Sequence, residues 1–200
     1  MNEKHNAARR ELILSSVSCE APEVGIWLAA LSDCRARTLK ALVGMRYDEM
    51  DWMCPLSRNT IGTLLYHIAA IELDWLYSEI LERECPGDFR TWFPHDVRDS
   101  EGNLASVAGD SAQQHEERLS YVRNKLVGTL SVMSLSEFGR VRHLQPYDVT
   151  PRWVVHHLLQ HEAAHRGQIA ILRHQFKDSE VPPSNKRAGF VGGRVNGHAE

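Results

Sequence analysis

Two histidines four residues apart, His161 and His165, stand inside an apolar helical pattern and are the residues of this chain best placed to do chemistry. The stretch from Thr150 to Leu172, TPRWVVHHLLQHEAAHRGQIAIL, reads as one amphipathic helix. At about 100° per residue, Val154, Leu158, Ile169 and Leu172 fall on one stripe, and both imidazoles point out of it. An imidazole withdrawn from water costs about 1–3 kcal/mol unless something partners it. A metal ion held between two rings one turn apart partners both. Zinc and nickel accept neutral imidazole and need at least one more protein ligand. The best third candidate is His67, between Leu64 and Ile71 at the edge of the buried face of a second helix. Three imidazoles with positions left for water make a reactive site rather than a closed structural one. The plainer alternative is a set of hydrogen-bonded core histidines, and the residues alone leave both readings open.

The pentad His161–His165 also fits H-E-x-x-H, in which a helical Glu serves a metalloprotease as general base. That fit is fortuitous on three counts. The chain continues Arg166-Gly167-Gln168 without a histidine at the required place, a downstream Glu ligand would have to be one such as Glu180 in a Pro-rich stretch, and no sheet pattern accompanies the helix. Glu162 falls at the border of the apolar stripe, which suits a solvated or salt-bridged role. Glu72 lies on the core side of its helix and needs a partner. It can orient a ligand histidine or pair with Arg166. His157 drifts to the edge of its face, where packing or subunit contact is the default. Trp52, Trp75, Trp92 and Trp153 read as core or rim residues, with Trp92 and Phe93 placed where they could wall a pocket. No residue stands out as catalytic.

Four helical patterns position these groups. The first runs from about Val24 to Met45, and the second from a cap at Asn59 or Thr60 to about Glu84, where Pro86 and Gly87 stop it. The third runs from about Ser111 to Met133, weakened by Gly128. The fourth opens with Thr150 as cap and Pro151 in its first turn. Strand patterns are poor, so the fold class is all-α. The long polar segment from Cys85 to Asp110 predicts a four-helix bundle with a crossover between helices two and three. Residues 1–176 form the expected domain, with its helical core from about residue 24. Residues 177–200, rich in Gly, Pro and charge, read as a flexible tail.

Composition narrows the function classes. The chain has 200 residues, 42% hydrophobic and 24% charged, with a formal net charge of −3. A single soluble domain follows, with no basic face for nucleic acid. Nothing approaches the run of about 18 apolar residues that a membrane span needs, and the charged N-terminus lacks a signal-peptide core. Cys19, Cys34, Cys54 and Cys85 are irregularly spaced, as expected of reduced cytoplasmic thiols.

The segments TIGTLLYHIAAIELDWL and YDVTPRWVVHHLLQHEAAHRGQIAILR resemble the DinB-like superfamily, which includes damage-inducible proteins and thiol-dependent transferases of the mycothiol maleylpyruvate isomerase and bacillithiol transferase type. The resemblance covers most of residues 24–176 and is strongest at the helix-two histidine and H-x-x-x-H-R-G-Q. It implies an up-down-down-up bundle, often a homodimer, with a divalent metal, zinc or nickel, on a histidine triad. Carried onto this sequence, the triad is His67, His161 and His165. It further implies a small-molecule substrate and a low-molecular-weight thiol, activated on the metal for S-transfer or isomerisation. Two alternatives stand beside that reading: metal-activated water for hydrolysis, and a non-catalytic metal-binding role in stress response or dimer assembly.

Overall fold

The computed structural model describes residues 11–180, and over them the chain forms six α-helices. These are α1 (Pro22–Leu42), α2 (Tyr47–Met50), α3 (Ile61–Trp75), α4 (Ala112–Ser131), α5 (Leu135–Phe138) and α6 (Pro151–Glu180). A short antiparallel hairpin with two residues in each strand, β1 (Arg142–His143) against β2 (Asp148–Val149), precedes α6. Local chemistry sets the helix starts. Thr60 Oγ1 accepts from the Thr63 N–H at 3.0 Å, Ser111 and Gln114 form a reciprocal capping box, and Thr150 Oγ1 accepts from the Trp153 N–H at 3.1 Å. Pro22 and Pro151 occupy first turns, where a missing N–H costs nothing.

Side-chain pairs give the helix directions. Arg152 meets Glu23 near the starts of α6 and α1, and Arg173 donates to the Ala41 and Val43 carbonyls near the end of α1, so these two helices run parallel. Trp75 at the end of α3 packs on Trp153 at the start of α6, so those two are antiparallel. Each long helix sends a fully buried residue to the shared core: Leu31, Leu65, Leu119 and Val155. Among the described residues no helix is long and apolar enough to cross a membrane, and all four cysteines are unpaired.

The central layer is polar as well as apolar. Arg35 from α1 pairs with Glu72 of α3 at 2.6 Å and Glu162 of α6 at 2.8 Å, while Arg123 from α4 pairs with the same two at 2.6 and 2.9 Å. Two cations and two anions, all buried, cancel in charge. The arginines also donate to the Leu119 and Leu31 carbonyls, so few polar atoms go unpaired. Burial would raise the Glu72 pKa, but the charges of Arg123 and Arg35 outweigh it and hold the carboxyl below its usual range.

Four expectations are corrected here. The partners of Glu72 are Arg35 and Arg123, whereas Arg166 donates to the Cys34 carbonyl. Glu162 lies at the buried centre of α6 rather than its border, because two guanidiniums neutralise it there. The fourth helix passes residue 177 and ends at Glu180, where Arg46 pairs with that residue at 2.7 Å. The rest of the expected tail, residues 181–200, lies outside the described residues. The second helix is also shorter than its pattern: regular α-structure stops at Trp75 and widens into a π-turn over Leu76–Ile80.

Candidate metal centre

His67 comes from the middle of α3, and His161 and His165 from successive turns of α6. Since α3 and α6 pack side by side, the three rings converge. The Nε2 of His161 lies 3.2 Å from the Nε2 of His67 and 3.1 Å from that of His165. One ring nitrogen from each of the three falls within 4.8 Å of the others. The ring planes of His161 and His165 stand at 81°, and those of His67 and His165 at 89°, so the rings point at a common volume instead of stacking.

The donor set fits a divalent cation. Nitrogens 3.1–3.2 Å apart, each about 2.0–2.1 Å from one ion, subtend about 100° at it, between octahedral and tetrahedral values. The lone pairs are also free to ligate. Burial, with the neighbouring His165, lowers the pKa of His67 to about 4. Burial, with His165, His67 and His157, lowers that of His161 to about 3. Both rings are therefore neutral at pH 7, the form that binds metal. His165 is oriented by Gln168: with the amide oxygen accepting at 2.8 Å, Nδ1 carries the proton and Nε2 keeps its lone pair.

Depth differs among the three. His67 is only 4% exposed, whereas His161 and His165 are half-buried. The edge position expected for His67 is thus corrected, and the crossover is the reason. Residues 85–110 fold over the outer face of α3: the Tyr66 hydroxyl donates to the His95 carbonyl, and Thr63 Oγ1 bonds both the Val107 N–H and its carbonyl. Every residue of α3 from Ile61 to Ala70 is buried as a result. His67 Nδ1, on the far side of the ring, meets no hydrogen-bonding protein atom among the described residues.

Residues 30–169 match the sequence profile of the DinB superfamily. The chain belongs to that superfamily. No curated protein matches it.

Other candidates of this DinB-superfamily chain take different places. Glu162 engages two arginines inside the bundle, so its carboxylate is committed away from the triad. Glu72 likewise bonds Arg35 and Arg123 and none of the three histidines. His157 stacks on Trp75 at 4.2 Å, a packing role. Phe93 walls a 290 Å³ cavity with Phe89 and His95, while Trp92 stacks on Tyr121 at 4.7 Å. A cavity of 210 Å³ opens beside the triad, lined by Leu56, Asn59, Leu64, Gln168, Ile171 and Gln175. Gln168 enters the sequence reading as the last residue of H-x-x-x-H-R-G-Q and is given no role there, although its i, i+3 spacing from His165 is the geometry of a helical hydrogen-bond pair.

Proposed function

We propose that this DinB-superfamily protein holds a divalent metal, zinc or nickel, on His67, His161 and His165, and uses it to activate a low-molecular-weight thiol for S-transfer or isomerisation. The observation that carries the proposal is the convergence of three Nε2 atoms from two helices. A bound divalent cation supplies a lowered pKa for a coordinated thiol and so a thiolate nucleophile near neutral pH. The chain's own residues do the rest. His67 anchors the site from the core, while the half-exposed His161 and His165 leave it open towards solvent. Gln168 fixes the tautomer of His165 and also lines the neighbouring cavity, where Leu56, Leu64 and Ile171 offer apolar contact to a small molecule.

Elemental analysis of protein purified without a histidine tag, followed by assays with bacillithiol, mycothiol or glutathione and an electrophile, tests the proposal. Expected are about one divalent metal per three-histidine site and thiol-dependent turnover that is lost in His67→Ala. Absence of turnover with every thiol by metal-loaded protein removes the transferase reading. One observation favours the second reading, a non-catalytic metal site serving stability or assembly of a homodimer. The cavity beside Gln168, at 210 Å³, is smaller than the roughly 300–1,000 Å³ of ordinary ligand pockets. That reading predicts retained metal and no turnover. Hydrolysis with Glu162 as base is not proposed, because two arginines hold that carboxylate.

A further inference from the structure

A separate cavity of 440 Å³ lies against the β1–β2 hairpin, walled by Trp75, Trp153, Tyr147, Val141, Val149 and Asp148. It is distinct from the triad: Trp153 precedes His161 by eight residues on α6, about 12 Å along the axis at 1.5 Å per residue. The aromatic wall is preassembled. The Trp75 indole stacks on Trp153 at 5.6 Å with 19° between planes, and on His157 at 4.2 Å with 15°. Trp153 is still 49% exposed and Tyr147 42%, so ring surface remains for a visitor.

Acidic groups outnumber basic ones at this cavity. No basic side chain lines it, whereas Asp148 does, its carboxylate bonded at 2.9 Å to the ring nitrogen of His143 on the outer side of the hairpin strand. Behind the wall, the Tyr147 hydroxyl donates to Glu79 Oε1 at 2.8 Å. Glu79 is only 6% exposed, and its other oxygen accepts from Ser78. The other buried glutamates, Glu49, Glu72 and Glu162, each have an arginine within 4.0 Å, whereas Glu79 has no cationic partner among the described residues. A buried carboxylate without a countercharge is costly, and it enriches the ring of the phenol that donates to it. Burial and Glu79 push the Tyr147 pKa up to about 12, so the phenol stays a donor at neutral pH. Glu79 also sits in the π-turn that begins immediately after Trp75, a rare feature concentrated at functional sites.

We propose that this cavity binds a small organic cation, an alkylated ammonium group caged by Trp75, Trp153 and Tyr147 with Glu79 and Asp148 as its countercharge. Aromatic faces attract such a cation electrostatically, and its weak hydration suits apolar walls better than a hydrated metal ion would. A neutral ligand of the same shape gains only the burial of its surface.

Choline and its neutral isostere 3,3-dimethylbutan-1-ol test the site on the full chain, read from the indole N–H resonances of Trp75 and Trp153. Choline is expected to shift both signals saturably and to bind about two- to thirtyfold more tightly than the isostere. Trp153→Ala, a change on an exposed helix face, is expected to abolish that preference. Tyr147→Phe keeps the ring but severs it from Glu79, and is expected to weaken choline more than the isostere. Equal affinity for the two probes, no saturable shift, or an unchanged preference in Trp153→Ala overturns the proposal. His161→Ala and chelation are expected to leave choline binding intact; its loss there would move the cation to the triad and overturn the assignment.

Discussion

His67, His161 and His165 present the same atom to a common volume but are held there by different means. His67 is fixed by burial, His165 by the Gln168 amide and His161 by its place between the other two rings. These differences set the order of mutational effects. Replacing His67 with Ala removes a proposed ligand, so it should lower affinity more than Gln168→Ala, whose loss of an orienting hydrogen bond is expected to cost about 10–100-fold. His157→Ala, which only unstacks a ring from Trp75, should leave affinity near that of the parent. Competition against a chromophoric chelator measures all three. Equal retention of metal by His67→Ala and His157→Ala would show that the triad is misassigned. Glu162 is the residue whose role differs most from its motif: the H-E-x-x-H spacing is present, yet the carboxylate is a structural counterion.

At the scale of elements, α6 does three jobs with three parts of its surface. Val155 and Leu158 enter the core with Glu162, His161 and His165 face α3, and Trp153 with His157 builds the aromatic wall. The Arg35–Glu72–Arg123–Glu162 layer takes one side chain from each long helix and so links helix register to charge balance. Its energetics are asymmetric, because removing one member strands the charge of another. Glu162→Leu alone is expected to cost about 3–5 kcal/mol, while replacing all four by apolar residues of similar volume should be nearly neutral. Denaturant midpoints on the single and fourfold variants decide this. A single variant as stable as the parent would mean that water already reaches the layer.

For the whole molecule, the same buried groups fix a pH response. The metal-free protein carries His67 with a pKa lowered to about 4, His115 lowered to about 4 and His161 lowered to about 3, all principally by burial, against an ordinary 6.5. As pH falls below 6.5 the unfolded chain takes up protons that the folded chain refuses. Stability from these groups is therefore complete above that value and is lost as pH drops towards 4 and then 3. Glu72, whose folded pKa is lowered, adds stability that persists above about 4.3 and disappears at lower pH. Chelated protein unfolded in denaturant at a series of pH values should thus weaken in two stages, histidines first. A flat stability profile between about pH 6.5 and 4.5 would contradict the burial of neutral imidazoles.

The sequence by itself determined what depends on neighbours a few residues away. The caps at Thr60, Ser111 and Thr150 mark where three helices begin, because a hydroxyl finds a free N–H two or three residues on. The i, i+4 spacing of His161 and His165 places both rings on one face for the same local reason. The DinB-like resemblance agrees with the superfamily match over residues 30–169. Tertiary structure alone decided the rest. The carboxylates that pair with Arg35 lie 37 and 127 residues away, and no helical period encodes such a meeting. His67 is deep because the chain from 85 to 110 folds back over α3, which its polar composition gave no reason to expect. The stack of Trp75 on His157 and Trp153 likewise exists only because α3 and α6 run antiparallel in contact. Short-range geometry is written in residue spacing, whereas these long-range partners are chosen by the packing of surfaces that only the folded chain brings together.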